Sequence, residues 1–344
     1  MFKRFVQNGR DIFEKESSSI LSAATIIMGA TLASALLGLV RTRLLISYFY
    51  ADKAIVDVFW AAFRIPDMIF QIIIVGALSS AFIPVFSRYL TSKEESNEIA
   101  SSMINSVMLV MMVLSALVII FAYPLSRLIA GGFTDAQLTL MANLTRIMAA
   151  AQLFFGFSSF LTGVIQSHKR FLIPALSPIL YNLGIIVGIL LFGRSMGIYG
   201  AAIGVVIGAC LHLLAQLPLA SKLGFSYRFV WSRSHGAVKE MTRLMLPRIL
   251  TLSLVQIEAT AIVTFSSWLS VGTVTIISIA QQLANLPVRL IGIPIGQASL
   301  PFFTKVTSKN DLQSLAAMVN NTILEMLYLA LPASVIVLVL RIPL

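Results

Sequence analysis

Charged side chains stand inside several of the most apolar stretches of this sequence. They are Arg41, Asp57, Arg64, Asp67, Arg248, Glu258, Arg289 and Glu325. An arginine at the centre of a membrane-spanning helix costs about 2.5–3.5 kcal/mol, so such residues persist where they meet a partner or line a water-filled cavity. Guanidinium groups bind phosphate oxygens in a bidentate manner. Several arginines converging on one cavity would therefore suit a polyanion such as a diphosphate.

The spacing of these residues indicates which of them act together. Asp57 and Arg64 are seven residues apart, two helical turns, so they share a helix face, and Asp67 is placed to pair with Arg64. Arg289 stands in the stretch NLPVRLIGIPIG, whose prolines and glycines would loosen a helix. Interrupted helices of this kind mark binding regions in transporters. Glu258 lies in an apolar run and is a candidate for charge or ion coupling.

Each of these residues also has a plainer interpretation. Arg41 could end the first apolar segment and extend to the outer interface. Arg43 lies about 200° further around the same helix, so both cannot face one cavity, and Arg43 is the better candidate for an interfacial anchor. Asp57 could be an ordinary charge near the start of its helix, Arg248 a topological anchor, and Glu325 a partner in an interhelical pair.

The elements that must position these residues are long apolar segments. Of the 344 residues, 58% are hydrophobic and only 11% are charged, and the mean hydropathy is +0.92. Nine segments are long enough to cross a bilayer, at about 19–50, 58–87, 99–122, 137–166, 172–193, 197–221, 240–270, 273–304 and 313–341. The composition predicts an all-α, polytopic membrane helix bundle.

The charge distribution predicts orientation and location. The connections on one side of the membrane hold only Lys53, Arg127 and Arg194, whereas most other Lys and Arg residues fall in connections on the opposite side. The positive-inside rule therefore predicts a cytoplasmic N-terminus in a multi-pass cell-membrane protein. Residues 1–18 are expected to form a cytoplasmic amphipathic lead-in. The net charge of +11 is scattered rather than clustered with aromatics, so no nucleic-acid partner is expected.

The chain contains a candidate internal repeat. PVFSRYLTSK, from Pro84, returns as PFFTKVTSK, from Pro301, at an offset of about 217 residues and six helices. Parallel repeats predict a two-lobe transporter, with an N-lobe at 19–229 and the start of a C-lobe at 230–344. Because the second copy would hold about three helices, we expect this sequence to be part of a longer protein. Chance similarity of cytoplasmic loops is the alternative.

No enzyme, metal or cofactor pattern accompanies the apolar segments. His168, His212 and His235 lack metal-ligand spacing, and Cys210 is a lone residue in an apolar run. No G-x-x-x-x-G-K-[ST] phosphate loop is present, so the chain is not expected to hydrolyse ATP. The outer connections are too short for a catalytic domain. The sequence therefore predicts a protein that is not an enzyme and binds no cofactor.

The residues around these charges resemble a known family. GLVRTRLL, DVFWAAFRIPDMIFQIIIVGALSSAFIPVFSRY, SHKRFLIPALSPILYN and ISIAQQLANLPVRLIGIPIGQASLPFF are similar, in this order, to the MurJ (MviN) family. The resemblance implies a fourteen-helix fold like that of multidrug exporters, and flipping of lipid II by alternating access. Lipid II is an undecaprenyl diphosphate that carries a disaccharide-pentapeptide. Membrane lipids and cell-wall synthesis proteins are the other partners that it implies.

The resemblance also carries over site residues, with departures. Arg41, Asp57 and Arg64 match charged positions of the family. Thr42, Ala35, Phe70, Gln282 and Asn285 stand where the family carries charges. We hypothesise that Arg289, seven residues after Gln282, supplies the missing charge. This hypothesis gives a diphosphate site of Arg41, Arg64, Arg289, Asp57, Gln282 and Asn285, with Glu258 or Asp57 as the coupling residue.

Rival interpretations remain open at this point. A related exporter of other lipid-linked sugars or of drugs is one, although a cationic-drug antiporter would want carboxylates without surplus arginine. A non-transporting scaffold of the cell-wall machinery is another, because family arginines are missing.

Overall fold

The chain folds as a set of long helices. In this computed structural model the described residues are 20–49, 52–76, 78–292, 295 and 312–339, and the regular elements among them are helical. The α-helices are α1 Ile20–Tyr48, α2 Lys53–Phe70, α3 Ile83–Phe86, α4 Lys93–Ile120, α5 Ala122–Ile129, α6 Asp135–Ser167, α7 Leu172–Met196, α8 Ile198–Lys222, α9 Gly236–Ser267, α10 Thr273–Ala284 and α11 Leu312–Val339. Within these described ranges, nine helices are long and apolar enough to span a membrane.

Local sequence signals fix where several helices begin. The Asp52 carboxylate accepts from the backbone N–H groups of Ala54 and Ile55 and caps α2. Thr134 and Gln137 form a reciprocal capping box at the start of α6. The cap at Asp52 makes the second helix begin at Lys53, five residues before the predicted start at 58. Asp57 is therefore inside the helix, at its second turn.

The helices α1 to α8 form one packed bundle, which we call the first bundle. Its main core joins α1, α2, α6, α7 and α8 through buried residues such as Leu45, Phe59 and Met148. The α7 and α8 backbones approach each other at Gly188 and Gly204, where an added Cβ on Gly188 would lie 2.4 Å from the Cα of Gly204. Glycine is required there because the two helices leave no room for a side chain.

An extended connector, residues 223–235, joins the first bundle to α9 and is held along α4. Asn105 donates to the backbone oxygens of Arg228 and Val230, at 3.2 and 2.8 Å, and accepts from the Tyr227 hydroxyl at 2.6 Å. One turn earlier on α4, Ser101 accepts from the Arg228 N–H, and two turns earlier Asn97 donates to the Gly224 oxygen and accepts from the Ser226 N–H. Phe229 and Trp231 stack edge-to-face on the exposed side of the connector.

The helix α9 contacts the second span along α2, the π-helical turns Gln71–Val75 and Leu78–Phe82, and α3. At the predicted inner side, Met241 and Met245 of α9 enter a second core with residues of α2 to α4 and α6. Arg88, which follows α3, forms a 2.6 Å ion pair with Glu240 of α9. The helix α10 contacts α2 at the predicted outer side, and the turn that follows α10 contacts α1 and α11. The first bundle is therefore in contact with the later helices at both ends.

The observed helices confirm the predicted all-α membrane fold and the nine spans. Two predicted features lie outside the described residues: the lead-in 1–18 and the second repeat copy at 301–309. The structure adds a short helix, α5, between the third and fourth spans, and two π-helical turns, Gln71–Val75 and Leu78–Phe82, within the second. The predicted boundary between the two lobes falls in the connector.

Candidate substrate site between the helices

The face of α2 that carries Asp57 and Arg64 lies against the later helices. Arg64 crosses to α9, where its Nε donates to Thr260 Oγ1 at 3.0 Å and its Nη2 donates to the backbone and side-chain oxygens of Gln256. Thr260 donates in turn to the Gln256 backbone oxygen at 2.7 Å. The guanidinium therefore ties the first bundle to α9 near the middle of both helices.

A proline next to Arg64 shapes this part of α2. Pro66 has no backbone N–H, so the carbonyl of Ala62, one turn before it, loses its helical partner. The Thr145 hydroxyl of α6 donates to this carbonyl at 3.2 Å and replaces the missing bond. The interruption is thus satisfied from within the first bundle, and it leaves the opposite face of α2, with Arg64, directed at α9.

Asp67 lies one turn after Arg64 and is half-buried. Its carboxylate interacts electrostatically with Arg64 and with Arg289, and it is within hydrogen-bonding reach of Gln71. Arg289 comes from the π-helical turn Val288–Gly292 after α10, and its side chain is exposed. A carboxylate of the first bundle therefore interacts with a guanidinium of its own helix and with one from the later helices.

Arg41 joins the same group from α1. Its guanidinium carbon lies 5.7 Å from the centre of the Trp60 ring, a cation–π distance. Tyr181 of α7 lies near both Arg41 and Asp67. Arg41 is half-buried, whereas Arg43 is exposed. The structure thus places Arg41 beside Trp60 of α2, and it places Arg43 on another side of α1.

Asp57 is buried, and its contacts lie at the start of α10. Its Oδ2 accepts from the Gly272 N–H at 2.6 Å, and its Oδ1 accepts from the Thr275 N–H at 2.8 Å and the Thr275 hydroxyl at 2.6 Å. A carboxylate at a helix N-terminus is favourable because it satisfies free N–H groups and complements the helix dipole. Both carboxylate oxygens are therefore engaged in capping α10 in this conformation.

A second contact closes the same side of the molecule. The Gly132 N–H, in the connection between α5 and α6, donates to Ser267 Oγ at 3.2 Å. An added Cβ on Gly132 would lie 2.1 Å from the Ser267 backbone oxygen. Trp268 packs beside Gly131, with its ring 3.2 Å from where a Cβ would stand. We call the contacts of Asp57 with Gly272 and Thr275, and of Gly132 with Ser267, the outer seal.

The remaining predicted residues occupy different surroundings. Gln282 is half-buried on α10, and Asn285 is exposed where α10 ends. The loosening expected around Arg289 is present, because α10 stops at Ala284 and a π-helical turn follows. Glu258 is exposed, on another side of α9 from the buried Gln256. The Arg289 N–H donates to the Asn285 backbone oxygen at 3.0 Å, but no contact of the Gln282, Asn285 or Glu258 side chain with these arginines is described.

Two further charges at membrane depth are exposed. Glu325 of α11 and Arg248 of α9 both have accessible side chains. Arg248 and Arg243 line an open groove of about 490 Å³ along α9. A smaller pocket of about 250 Å³ lies next to the outer seal, between α1, α2 and α10.

Sequence reasoning missed two parts of this arrangement, the partners of Arg64 and the position of Arg146. Gln256 and Thr260, which hold Arg64, are neutral residues in an apolar run and carried no charge signal. Arg146 is a further arginine at membrane depth, and its Nε donates to the Ile119 backbone oxygen at the end of α4 at 3.1 Å. Thr42, which replaces an acid of the resembled family, is buried. A polar pattern spaced by four along α9 could have identified Gln256 and Thr260.

The described residues contain no group of three or more His, Cys, Asp or Glu side chains that could hold a metal ion. His212 instead belongs to a buried polar cluster between α6 and α8. Its Nδ1 lies 2.6 Å from Ser158 Oγ, and Gln216 donates to Ser158 at 2.8 Å. The cluster joins the helices within the first bundle.

Comparison with solved structures identifies the fold. A structure described as lipid II flippase MurJ in an inward closed conformation matches with a TM-score of 0.72 and 24% identity, over 89% of this chain and 63% of that chain. A MOP superfamily transporter from Pyrococcus furiosus matches with a TM-score of 0.61 and 15% identity, over 96% of this chain and 73% of the other. The chain therefore has the fold of the MOP class of membrane transporters.

The sequence comparisons identify the family within this class. The model of the family described as lipid II flippase MurJ matches residues 45–344. The chain belongs to the lipid II flippase MurJ family, and it is a multi-pass membrane protein. A probable lipid II flippase MurJ from Bdellovibrio bacteriovorus is 29% identical over 330 residues, which cover 93% of this chain and 62% of the relative. The chain thus spans about three fifths of the length of the curated relatives that it matches.

Proposed function

We propose that this protein moves lipid II, or a closely similar undecaprenyl-diphosphate-linked glycan, from the inner to the outer leaflet of the cell membrane. Membership of the lipid II flippase MurJ family supports this proposal. The observation that carries it is the placement of three arginines on elements that meet: Arg41 of α1 lies beside Trp60 of α2, Arg64 of α2 bonds to α9, and Arg289 stands in the turn after α10, which contacts α1. These arginines come from α1, α2 and the turn after α10, so the group bridges the helices that must move.

The diphosphate is the part of the substrate that this group suits. Guanidinium groups bind phosphate oxygens through two parallel N–H donors. In a site of low dielectric constant, such pairs are stronger than they are in water. Arg64 already donates to Gln256 and Thr260, so it would exchange neutral acceptors for phosphate oxygens when the substrate binds.

Alternating access fits the distribution of contacts between the bundles. The outer seal holds the end of α9 and the start of α10 against the first bundle. In the orientation predicted from charge, with a cytoplasmic N-terminus, the sealed side faces the outside. Release of the diphosphate outward would require Asp57 to leave the start of α10.

The membrane potential is the proposed driving force. Lipid II is anionic, and an inside-negative potential favours movement of an anion from inside to outside by up to about 2.3 kcal/mol per charge per 100 mV. If transport in vesicles is unchanged after the potential is dissipated, this electrical contribution is absent. Glu258 remains a candidate for an ion-coupled step, because it is a carboxylate in an apolar span.

The direct test is transport by arginine variants in reconstituted vesicles. Arg289→Ala and Arg41→Ala should each reduce lipid II flipping at least tenfold, the factor that corresponds to about 1.4 kcal/mol of lost substrate interaction. Arg43→Ala is the matched control and should retain transport, since Arg43 lies on another side of α1 from Arg41. Normal flipping by Arg289→Ala would remove this residue from the site.

A cellular test separates a transporter from a scaffold. The gene should restore growth to a strain depleted of its lipid II flippase, and the Arg41→Ala variant should not. Growth restored equally by both would favour a non-transporting role in cell-wall assembly. Transport of a drug or another lipid-linked sugar in preference to lipid II, in the same vesicles, would favour a related exporter.

A further inference from the structure

The connector follows α4 for two turns and then returns. Asn97, near the start of α4, binds the backbone at the beginning of the connector. Asn105, two turns later, donates to the Val230 oxygen at 2.8 Å. The connector ends back near the start of α4, where His235 Nε2 lies 3.3 Å from a Glu95 carboxylate oxygen. The connector is therefore a loop whose tip lies beside Asn105 and whose two ends lie near the start of α4.

The side chains at the tip of this loop are aromatic and exposed. The Val230 N–H donates to the Arg228 oxygen at 3.0 Å, which makes a three-residue turn with Phe229 at its centre. Phe229 is 74% exposed and Trp231 is 42% exposed. Their rings pack edge-to-face with centroids 4.6 Å apart. Two large aromatic side chains held together on a fixed loop indicate a surface that binds an apolar partner.

The tip lies where α4 changes from a charged to an apolar surface. The charged residues of α4 end at Glu98, and exposed large apolar side chains begin at Leu109. Asn105 lies between them, and Leu109 follows it by one turn on the same helix face. Because α4 is one of the candidate spans, its exposed apolar face is expected to contact acyl chains. Phe229 and Trp231 therefore lie beside the boundary between lipid headgroups and acyl chains.

Polar side chains of α4 satisfy the backbone of the loop at this depth. Little water reaches backbone groups near the hydrocarbon region, so they need partners within the protein. Ser101 accepts from the Arg228 N–H at 3.0 Å, and Ser102 accepts from the Ser232 N–H at 2.9 Å. Both serines are fully buried, as Asn105 nearly is. These contacts explain why the inner part of a membrane helix carries a polar face.

Two arginines lie on either side of the aromatic pair. The Arg228 backbone binds Ser101, but its guanidinium reaches back to Glu94, two turns nearer the start of α4, at 3.4 Å. Arg233 follows the tip, where the chain has turned back towards the start of α4, and it is exposed. Long cationic side chains extend to the headgroup layer in this way while their apolar neighbours stay deeper. In the predicted orientation this is the cytoplasmic leaflet, whose anionic lipids attract basic segments.

We propose that the connector is a membrane-binding loop that holds an anionic phospholipid of the inner leaflet. Phe229 and Trp231 enter the acyl layer beside α4, and the Arg233 guanidinium binds the lipid phosphate through its paired N–H donors. Phosphatidylglycerol fits better than phosphatidylcholine, because the latter carries a cation beside its phosphate. This surface is separate from the substrate site, and the inference holds whatever substrate the protein moves.

The test uses Trp231 as the sole tryptophan, with every other tryptophan replaced by phenylalanine. The protein is placed in phosphatidylcholine membranes that contain increasing amounts of phosphatidylglycerol brominated on its acyl chains. Bromine should quench Trp231 emission, and acrylamide in the aqueous phase should not. The dependence of quenching on lipid composition gives the binding constant of phosphatidylglycerol relative to phosphatidylcholine. Arg233→Gln should lower this constant about fivefold, the contribution of one basic residue near an anionic surface.

Two further comparisons distinguish a loop that enters the membrane from one that lies on it. With Trp231→Phe, the Phe229→Trp variant should be quenched by bromine more strongly than Trp231, and Arg233→Trp less strongly, because Phe229 lies at the tip. Arg194→Gln is the matched control for charge. Arg194 is an exposed arginine in the last turn of α7, at the predicted outer side, so the relative binding constant should be unchanged.

Each other outcome contradicts a stated part of the inference. Quenching of Trp231 by acrylamide and not by bromine would place the loop in water. Quenching by neither would mean that another segment of protein covers it, and both results would overturn membrane binding. Quenching by bromine with no preference for phosphatidylglycerol, or with the same preference in Arg233→Gln, would overturn the assignment of the phosphate to Arg233.

Discussion

Asp57 and Thr275 meet through two hydrogen bonds to one oxygen atom. Asp57 Oδ1 accepts from the Thr275 backbone N–H at 2.8 Å and from its hydroxyl at 2.6 Å. The residues are 218 positions apart and belong to helices on opposite sides of the boundary between the first bundle and the later spans. The N-terminus of α10, one of the later helices, is thus capped by a carboxylate of the first bundle.

Asp57→Asn should open the outer seal. The amide keeps one acceptor oxygen but loses the charge and an acceptor for the Gly272 N–H, so the sealed state should lose roughly 1–3 kcal/mol. Distances between spin labels on Ala136 and Ile276, in a Cys210→Ser background, should show a larger population of long separations. Asp52→Asn, which removes a cap within α2 only, should leave the distribution unchanged. Equal distributions in both variants would mean that Asp57 does not hold the seal.

Gly132→Ala should act at the second contact of the seal. An added Cβ would stand 2.1 Å from the Ser267 backbone oxygen, so the two backbones must separate. We expect the sealed state to lose about 1–3 kcal/mol, the usual cost of overpacking. The same spin-label pair measures the shift. Gly236→Ala, at a site with no atom within 4 Å, is the matched control, and a shift as large in this variant would contradict the steric explanation.

Arg64 and Thr260 should be energetically coupled. Arg64→Lys keeps the charge but removes the Nε–H that binds Thr260, and Thr260→Val removes the hydroxyl. A double-mutant cycle on the free energy of unfolding in mild detergent should give a coupling of about 1–2 kcal/mol. Thr264→Val is the comparison, since the Thr264 hydroxyl bonds to its own helix at the Thr260 carbonyl. Its effect should add to that of Arg64→Lys without coupling.

Asn105→Ala should release the connector from α4. The variant leaves the Arg228 and Val230 oxygens and the Tyr227 hydroxyl without their partner, at a cost of about 2–3 kcal/mol. Hydrogen exchange of residues 224–232 should become faster.

The adjacent Ser106 provides the control for this experiment. Its buried Oγ has no hydrogen-bond partner among the described residues, so Ser106→Ala should leave exchange in the connector and the stability unchanged. Slow exchange in Asn105→Ala would mean that packing, rather than these bonds, holds the connector.

The spans and the resemblance were predictable because both rest on local sequence. A run of about twenty apolar residues is recognisable without any tertiary information. The nine candidate spans among the described helices confirm the nine that were predicted. The exposure of Arg43 beside a half-buried Arg41 also follows the helical period. The shared face of Asp57 and Arg64 is present, because both contact the later helices.

The role of Asp57 could not be predicted from the sequence. A carboxylate near a helix start is compatible with capping its own helix, with a solvent-exposed position or with a distant partner, and only the packing of α2 against α10 decides between them. The π-helical turn Gln71–Val75 was equally hidden, because its letters, QIIIV, fit a regular apolar helix. Arg146 was overlooked because its partner is a backbone carbonyl of another helix.

The Arg41–Trp60 contact gives the protein an optical reporter of its own site. The chain has three tryptophans: Trp60 lies beside Arg41, Trp231 lies on the connector, and Trp268 packs at Gly131 near the outer seal. Replacing any two with phenylalanine leaves a single indole whose emission reports one region. Ligand binding, movement of the connector and opening of the outer seal could then be timed separately, without an added dye.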